Sequence, residues 1–159
     1  MMVAREDLKQ IAMLRYLSDE MLDKLIPITK LLYFDKRELI FRQGEKSRHF
    51  YMLKEGKVIL EQRITDKIAV SVSAIKPGDS FGLSAMLDGE EYSIDAVCAE
   101  PCKVFTFRDK EIRALFEEDH SLGFIMSQRL LRIIKKRYDI RTEQFLKTLR
   151  HHPEISNLL

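Results

Sequence analysis

Two cysteines, four prolines and no uninterrupted apolar run approaching about 18 residues set the first limits on this chain. Without such a run, no segment can cross a membrane as a helix. The start, Met1-Met2-Val3-Ala4-Arg5-Glu6-Asp7, is charged where a signal peptide needs an apolar core, so a cytoplasmic protein is expected. Cys98 and Cys102 are too few thiolates for a metal site or an iron–sulfur cluster. They flank a turn at Glu100-Pro101. The favoured reading is two reduced thiols at a strand end, ahead of a disulfide or redox pair. An excess of either charge is missing too: the formal net charge is +2, and no global field points to nucleic acid or a membrane.

Enzyme constellations are also wanting. His49 lies in a strand-like run beside Phe50 and Tyr51, His120 at a helix start, and His151 and His152 in a tail with too few ligands for a metal. Ser84 follows Gly82, but the run lacks the glycine two places later that a nucleophile elbow needs. Glu90 and Glu91 are sequential in a loop, where solvation explains them. The expectation is a non-enzymatic protein with no metal and no cofactor.

What is present is one domain's worth of core: 159 residues, 45% of them apolar, enough for a single domain plus one long helix. Leu8, Ile11, Ala12 and Leu14 have helical spacing. Ser18 is a good N-cap for a second short helix, with Asp19 and Glu20 in its first turn and Pro27 at its end. From Leu31 the pattern becomes short β-rich runs: 31–34, 39–42, 49–53, 57–63, 68–74, 93–99 and 103–107. Turn signals recur at Gly44-Glu45, Glu55-Gly56, Thr65-Asp66 and Pro77-Gly78. Such spacing predicts a sandwich or barrel-like roll. Asp109 can cap a helix through Phe116, and the longest helical pattern runs from about Leu122 to Arg150.

The roll is interrupted by Lys76-Pro77-Gly78-Asp79-Ser80-Phe81-Gly82-Leu83-Ser84-Ala85-Met86-Leu87 and the acidic turn Asp88-Gly89-Glu90-Glu91. Pro77-Gly78 encodes a β-turn, because Pro fixes φ at one central position and Gly accepts φ > 0 at the next. Gly82 admits close approach, and a short helix opening at Leu83 would direct unpaired amides at an anion beyond Gly82.

The pattern Pro77-Gly78-x-x-Phe81-Gly82-x-x-Ala85-x-Leu87 resembles the phosphate-binding cassette of the cyclic-nucleotide-binding domain family, and the likeness extends over roughly residues 15–150. It implies an α+β, mainly β fold: a double-stranded β-helix, or jelly-roll-like β-roll, at 31–108. Helices flank it at 1–30 and 109–150, with a tail at 151–159. Gly44 and Gly56 stand where that roll has turn glycines. The resemblance implies a ligand site at Phe81, Gly82, Leu83, Ser84, Ala85, Tyr92 and Ser93. Two positions depart from it. The family places Glu after the Phe-Gly pair, facing the ribose hydroxyl, and Arg after the loop, facing the cyclic phosphate; here Leu83 and Tyr92 stand there. Losing one partner of a buried charge pair costs about 2–5 kcal/mol, roughly 30- to several-thousand-fold in affinity. Cyclic AMP or cyclic GMP is therefore the weaker expectation, behind a small ligand that is more apolar and less anionic.

In the long helix, Leu131, Ile134, Tyr138, Arg141 and Phe145 recur at alternating steps of three and four, a heptad seam. The resemblance makes this the helix that dimerises and closes over the ligand. Between residues 129 and 150, eight Lys or Arg stand against Asp139 and Glu143, a net +6, for which a solvated face is the favoured reading. Only nine residues follow Arg150, too few for a helix-turn-helix reader. The expectation is a stand-alone regulatory ligand-sensing module acting in signal transduction. It would be a homodimer, with a protein effector as a further partner and no membrane contact. The alternatives are a non-sensing dimeric interaction scaffold and, less favoured, a nucleic-acid-associated protein using the basic helix.

Overall fold

A computed structural model describes residues 2–159. Two short helices, α1 (Arg5–Lys9) and α2 (Asp19–Leu25), lead into eight strands: β1 (Thr29–Phe34), β2 (Leu39–Phe41), β3 (His49–Glu55), β4 (Val58–Thr65), β5 (Ile68–Ile75), β6 (Ser80–Phe81), β7 (Asp95–Cys98) and β8 (Cys102–Arg108). Helices α3 (Asp109–Glu118), α4 (His120–Arg150) and α5 (Pro153–Ser156) follow. The chain divides into two compact units, one ending at Met126 and one spanning Ser127–Leu159.

The strands form two four-stranded antiparallel sheets, ordered β1-β8-β3-β6 and β2-β7-β4-β5, which together make a jelly-roll-like β-roll. The register of β3 on β8 assigns the faces of the first sheet. Directly paired residues share a face, so Tyr51 with Thr106 and Leu53 with Val104 look one way, and Phe50 with Phe107 and Met52 with Phe105 the other. Tyr51, Leu53 and Val104 join Val58, Leu60, Ile75 and Ala96 of the second sheet in the interior of the roll. On the opposite face, Phe50, Met52, Phe105 and Phe107 are fully buried, as are Leu8, Ile11, Leu14, Leu22, Leu25 and Ile112 of the helical segments. Lys54 ties α1 to that face: its ammonium lies 5.7 Å from the centre of the Phe105 ring and 3.2 Å from the Asp7 carboxylate.

All seven strands expected from the sequence form, and β6 is an eighth that was not expected. It has two residues, too short for any alternation to register. Ser18 caps α2 through its hydroxyl, which accepts from the Met21 amide at 3.1 Å. Asp109, expected as a cap, is instead the first residue of α3, with Arg108 in the cap position. The helical spacing of 4–14 resolves into α1 and a separate 3-10 turn at Ala12–Leu14. Among the described residues no helix is long and apolar enough to cross a membrane.

Phe107→Ala empties a fully buried site where Phe50 packs at 6.1 Å between ring centres. Urea unfolding should register a loss of about 3–5 kcal/mol; Leu32→Ala, at a position 38% exposed on the edge strand β1, should cost clearly less.

Candidate functional site

The cassette segment is positioned by its turn. Lys76–Asp79 closes with the Asp79 amide donating to the Lys76 carbonyl at 2.9 Å, and Gly78 takes φ +96°. That turn is locked on two sides. Leu53 accepts from the Gly78 amide at 2.8 Å and its own amide donates to the Asp79 carbonyl at 2.9 Å, and the Ala12 amide donates to the Gly78 carbonyl at 3.0 Å. β6 then pairs Phe81 with Tyr51, and the chain passes through Gly82 into a 3-10 turn, Leu83–Met86, in place of the expected helix through Leu87.

Gly82 has φ +70°, ψ 37°, a left-handed conformation that a Cβ disfavours. Its α-carbon also faces protein: a Cβ here would lie 2.9 Å from Tyr51 Cδ2 and 3.2 Å from the His49 carbonyl. The close approach that the sequence suggested for a ligand is made on this side by the Tyr51 ring. Around it four rings stack. Phe41 lies 3.8 Å from Tyr92 between centroids, with planes 16° apart, and Tyr51 lies 5.2 Å from Phe81 and 5.8 Å from Phe41.

Tyr92 stands where the cassette pattern calls for arginine, and it is buried. Its hydroxyl donates to the His49 carbonyl at 2.5 Å and accepts from the His49 amide at 3.1 Å. Tyr51 reaches the same hydroxyl. Burial pushes the Tyr92 phenol up to about 12 and raises that of Tyr51 as well, so both stay neutral at ordinary pH. Burial also lowers the pKa of half-buried His49, favouring a neutral ring.

The other site residues expected from the sequence spread around this cluster. Phe81 and Ala85 are buried, Leu83 and Ser84 half-buried, and Ser93 exposed. A recess of about 410 Å³ beside Tyr92 is lined by Gln43, Gly44, Gly89, Glu90, Glu91 and Ser93, which include two carboxylates and no cation. The cation that α3 brings to the cassette loop, Arg113, lies 3.2 Å from Asp88 and 3.3 Å from Asp109. The arrangement suits a neutral group better than a phosphate. Cys98 and Cys102 are both free and buried, and burial beside Cys102 pushes the Cys98 thiol up to about 12.

Sequence reasoning missed Phe41, His49 and Tyr51 as parts of the site. The alternation of β3, which turns Tyr51 and Leu53 to one side, was the available signal. It also missed Asp95, which fastens the strand after the cassette. Its carboxylate accepts from the Gln43 amide at 2.7 Å and from Arg63 Nη2 at 2.9 Å.

A family model described as the cyclic nucleotide-binding domain matches residues 31–119. Over 97 residues the chain is 27% identical to cGMP-dependent protein kinase 2 of Homo sapiens, a match covering 60% of this chain and 13% of the kinase. The chain thus spans a small part of the curated relatives it matches. A solved structure of a putative cyclic nucleotide-binding protein from Geobacter metallireducens superposes with a TM-score of 0.75 at 23% identity, covering 86% of this chain and 99% of that one. A cyclic nucleotide-binding domain from Methylobacillus flagellatus gives 0.78 at 18% identity, covering 90% and 80%. At these identities the likeness to solved structures bears on the fold.

Burial raises the pKa of Asp95, but the Gln43 amide and the Arg63 guanidinium outweigh it and hold the carboxyl below its ordinary value. A depressed folded pKa contributes stability above the unfolded value, near 3.9, and loses it as pH falls through the folded one. With Arg63 partly exposed, Asp95→Asn should cost about 1–2 kcal/mol at pH 7. In denaturant titrations that gap should shrink steadily below about pH 4.

Proposed function

Because this chain belongs to the cyclic nucleotide-binding domain family, we propose that it is a regulatory ligand-sensing module whose cassette takes an uncharged ligand in place of a cyclic phosphate. The observation that carries this reading is Tyr92. At the position the cassette pattern gives to a phosphate-binding arginine, a neutral phenol is turned inward onto Phe41 and bonded to the His49 backbone. Leu83 likewise puts an alkyl group where the pattern has a carboxylate. Both charged anchors of the site are absent together, so an empty cassette leaves neither ion buried without a partner.

Occupancy of the cassette would reach the helices through Arg113, which bridges Asp88 of the cassette loop and Asp109 at the start of α3. Asp119 is the next joint. Its amide donates to the Leu115 carbonyl at 2.9 Å at the end of α3, its carboxylate accepts from the Leu122 amide at 3.0 Å at the start of α4, and Lys24 holds it at 2.9 Å. A ligand shifts this joint only as far as its affinities for two helix positions differ. The output is a homodimer through α4, whose Leu131, Tyr138 and Phe145 are 58%, 67% and 62% exposed and recur at heptad spacing.

A second reading, a dimeric interaction scaffold without a ligand, is favoured by the four stacked rings beside Gly82. Thermal-shift screening with uncharged heterocycles separates the two: stabilisation by any of them supports sensing, and an unchanged midpoint in an intact dimer supports the scaffold.

Calorimetric titration with cyclic AMP and cyclic GMP tests the ligand class. The unmodified protein should give no micromolar binding, and a Leu83→Glu, Tyr92→Arg double variant should gain it; micromolar binding by the unmodified protein overturns the reading. Leu131→Asp with Tyr138→Asp should convert the dimer to monomer by sedimentation without loss of the roll's near-ultraviolet signal.

A further inference from the structure

We propose that the basic side of α4 is a docking surface for the phosphate backbone of nucleic acid. At 100° per residue, Arg129, Arg132, Lys136, Lys147 and Arg150 fall within about 60° of arc on one side of the helix, along roughly 31 Å of its length. Arg132, Lys136, Lys147 and Arg150 are exposed. Arg132, Lys135 and Lys136 line an open groove of about 480 Å³ together with Gln128, Leu131, Ile140 and the carboxylates of Asp139 and Glu143.

The cations are not balanced within their own unit. Residues 127–159 hold eight Lys or Arg against Asp139, Glu143 and Glu154, a net +5. Lys135 takes up Asp139 at 2.5 Å, leaving Glu143 as the carboxylate that interrupts the basic side.

Geometry separates this partner from others. The apolar seam of Leu131, Ile134, Tyr138 and Phe145 lies roughly opposite the basic side. A helix lying on a membrane would bury that seam and turn these cations toward water. A helix whose seam is taken by a second copy presents them outward, in a line rather than a pocket. Five of the eight cations are arginine, whose planar fork matches phosphate oxygens. An evenly charged backbone fits a line of cations, and nothing in the groove selects a base, so the binding is independent of sequence.

The test is fluorescence anisotropy of the full chain with a labelled 20-base-pair duplex at 50–200 mM KCl, with polyglutamate and phosphatidylserine vesicles as competitors. With about four phosphates neutralised, the slope of log affinity against log salt should be about −3 to −4, roughly a hundredfold loss across that range. Arg132→Glu with Lys136→Glu should weaken binding at least tenfold and flatten the slope by about two. Lys147→Glu with Arg150→Glu, at the C-terminal end of α4, should act in the same direction and serves if the first variant does not fold. Lys36→Glu, on an exposed turn of the roll, should change nothing. No binding at 50 mM salt, binding indifferent to the charge reversals, or competition by polyglutamate or vesicles equal to that of unlabelled duplex at matched charge would each overturn the proposal.

Discussion

The structure depends on one sheet being buried on both faces. β3 and β8 must satisfy two cores at once, the roll interior through Tyr51, Leu53 and Val104, and the helix-covered side through Phe50, Met52, Phe105 and Phe107. A register slip of one residue would exchange every one of these side chains, so pairing is specified strongly. This rigidity fixes the cassette. Leu53 on β3 holds the Pro77-Gly78 turn by two backbone bonds, and Tyr51 pairs with Phe81. The site is thus an extension of the sheet's register, with little freedom of its own at its first half.

Its second half is held differently. After the 3-10 turn the chain is exposed from Leu87 to Glu91 and returns through Tyr92 and Asp95, each anchored to a distant loop: Tyr92 by backbone bonds with Gly44 and Glu45, Asp95 by the Gln43 amide. Residues 42–47 and 90–95 are therefore one cross-tied pair of segments. Tyr92 is the point where they meet the aromatic cluster. A guanidinium there would have to abandon the ring contact with Phe41 at 3.8 Å, and the buried hydroxyl contacts at His49 would be lost with it. The phenol is a structural solution as well as a chemical one.

That distinction explains what the sequence could reveal. Strand positions were legible because alternation and turn glycines are local signals, and Ser18 and the Pro77-Gly78 turn were legible because caps and turns depend on single residues. The absence of cassette charges at Leu83 and Tyr92 could also be read directly. Where Tyr92 would point could not. Its partners, Phe41, His49 and Tyr51, lie more than 40 residues away and become neighbours only through the pairing of β3 with β6 and of the two tied loops. The same limit hid β6, since two residues carry no period, and misplaced Asp109 by one position, within the usual uncertainty of helix ends.

Charge follows the division into units in a way the total conceals. A formal +2 for the whole chain is the sum of +5 in residues 127–159 and −3 in the unit that carries the cassette. Whole-chain neutrality argued against any field-driven partner, yet at physiological salt screening confines a field to about 8 Å, far less than the length of α4. An anion approaching the cassette meets Glu90 and Glu91 and a net-negative unit, whereas one approaching the basic side of α4 meets Arg132, Lys136, Lys147 and Arg150 in a unit of net +5. The two surfaces favour opposite chemistry, so each has to be judged on its own charges. The same local reading that argues against a cyclic phosphate at Tyr92 argues for a phosphate backbone at Arg132 and Lys136.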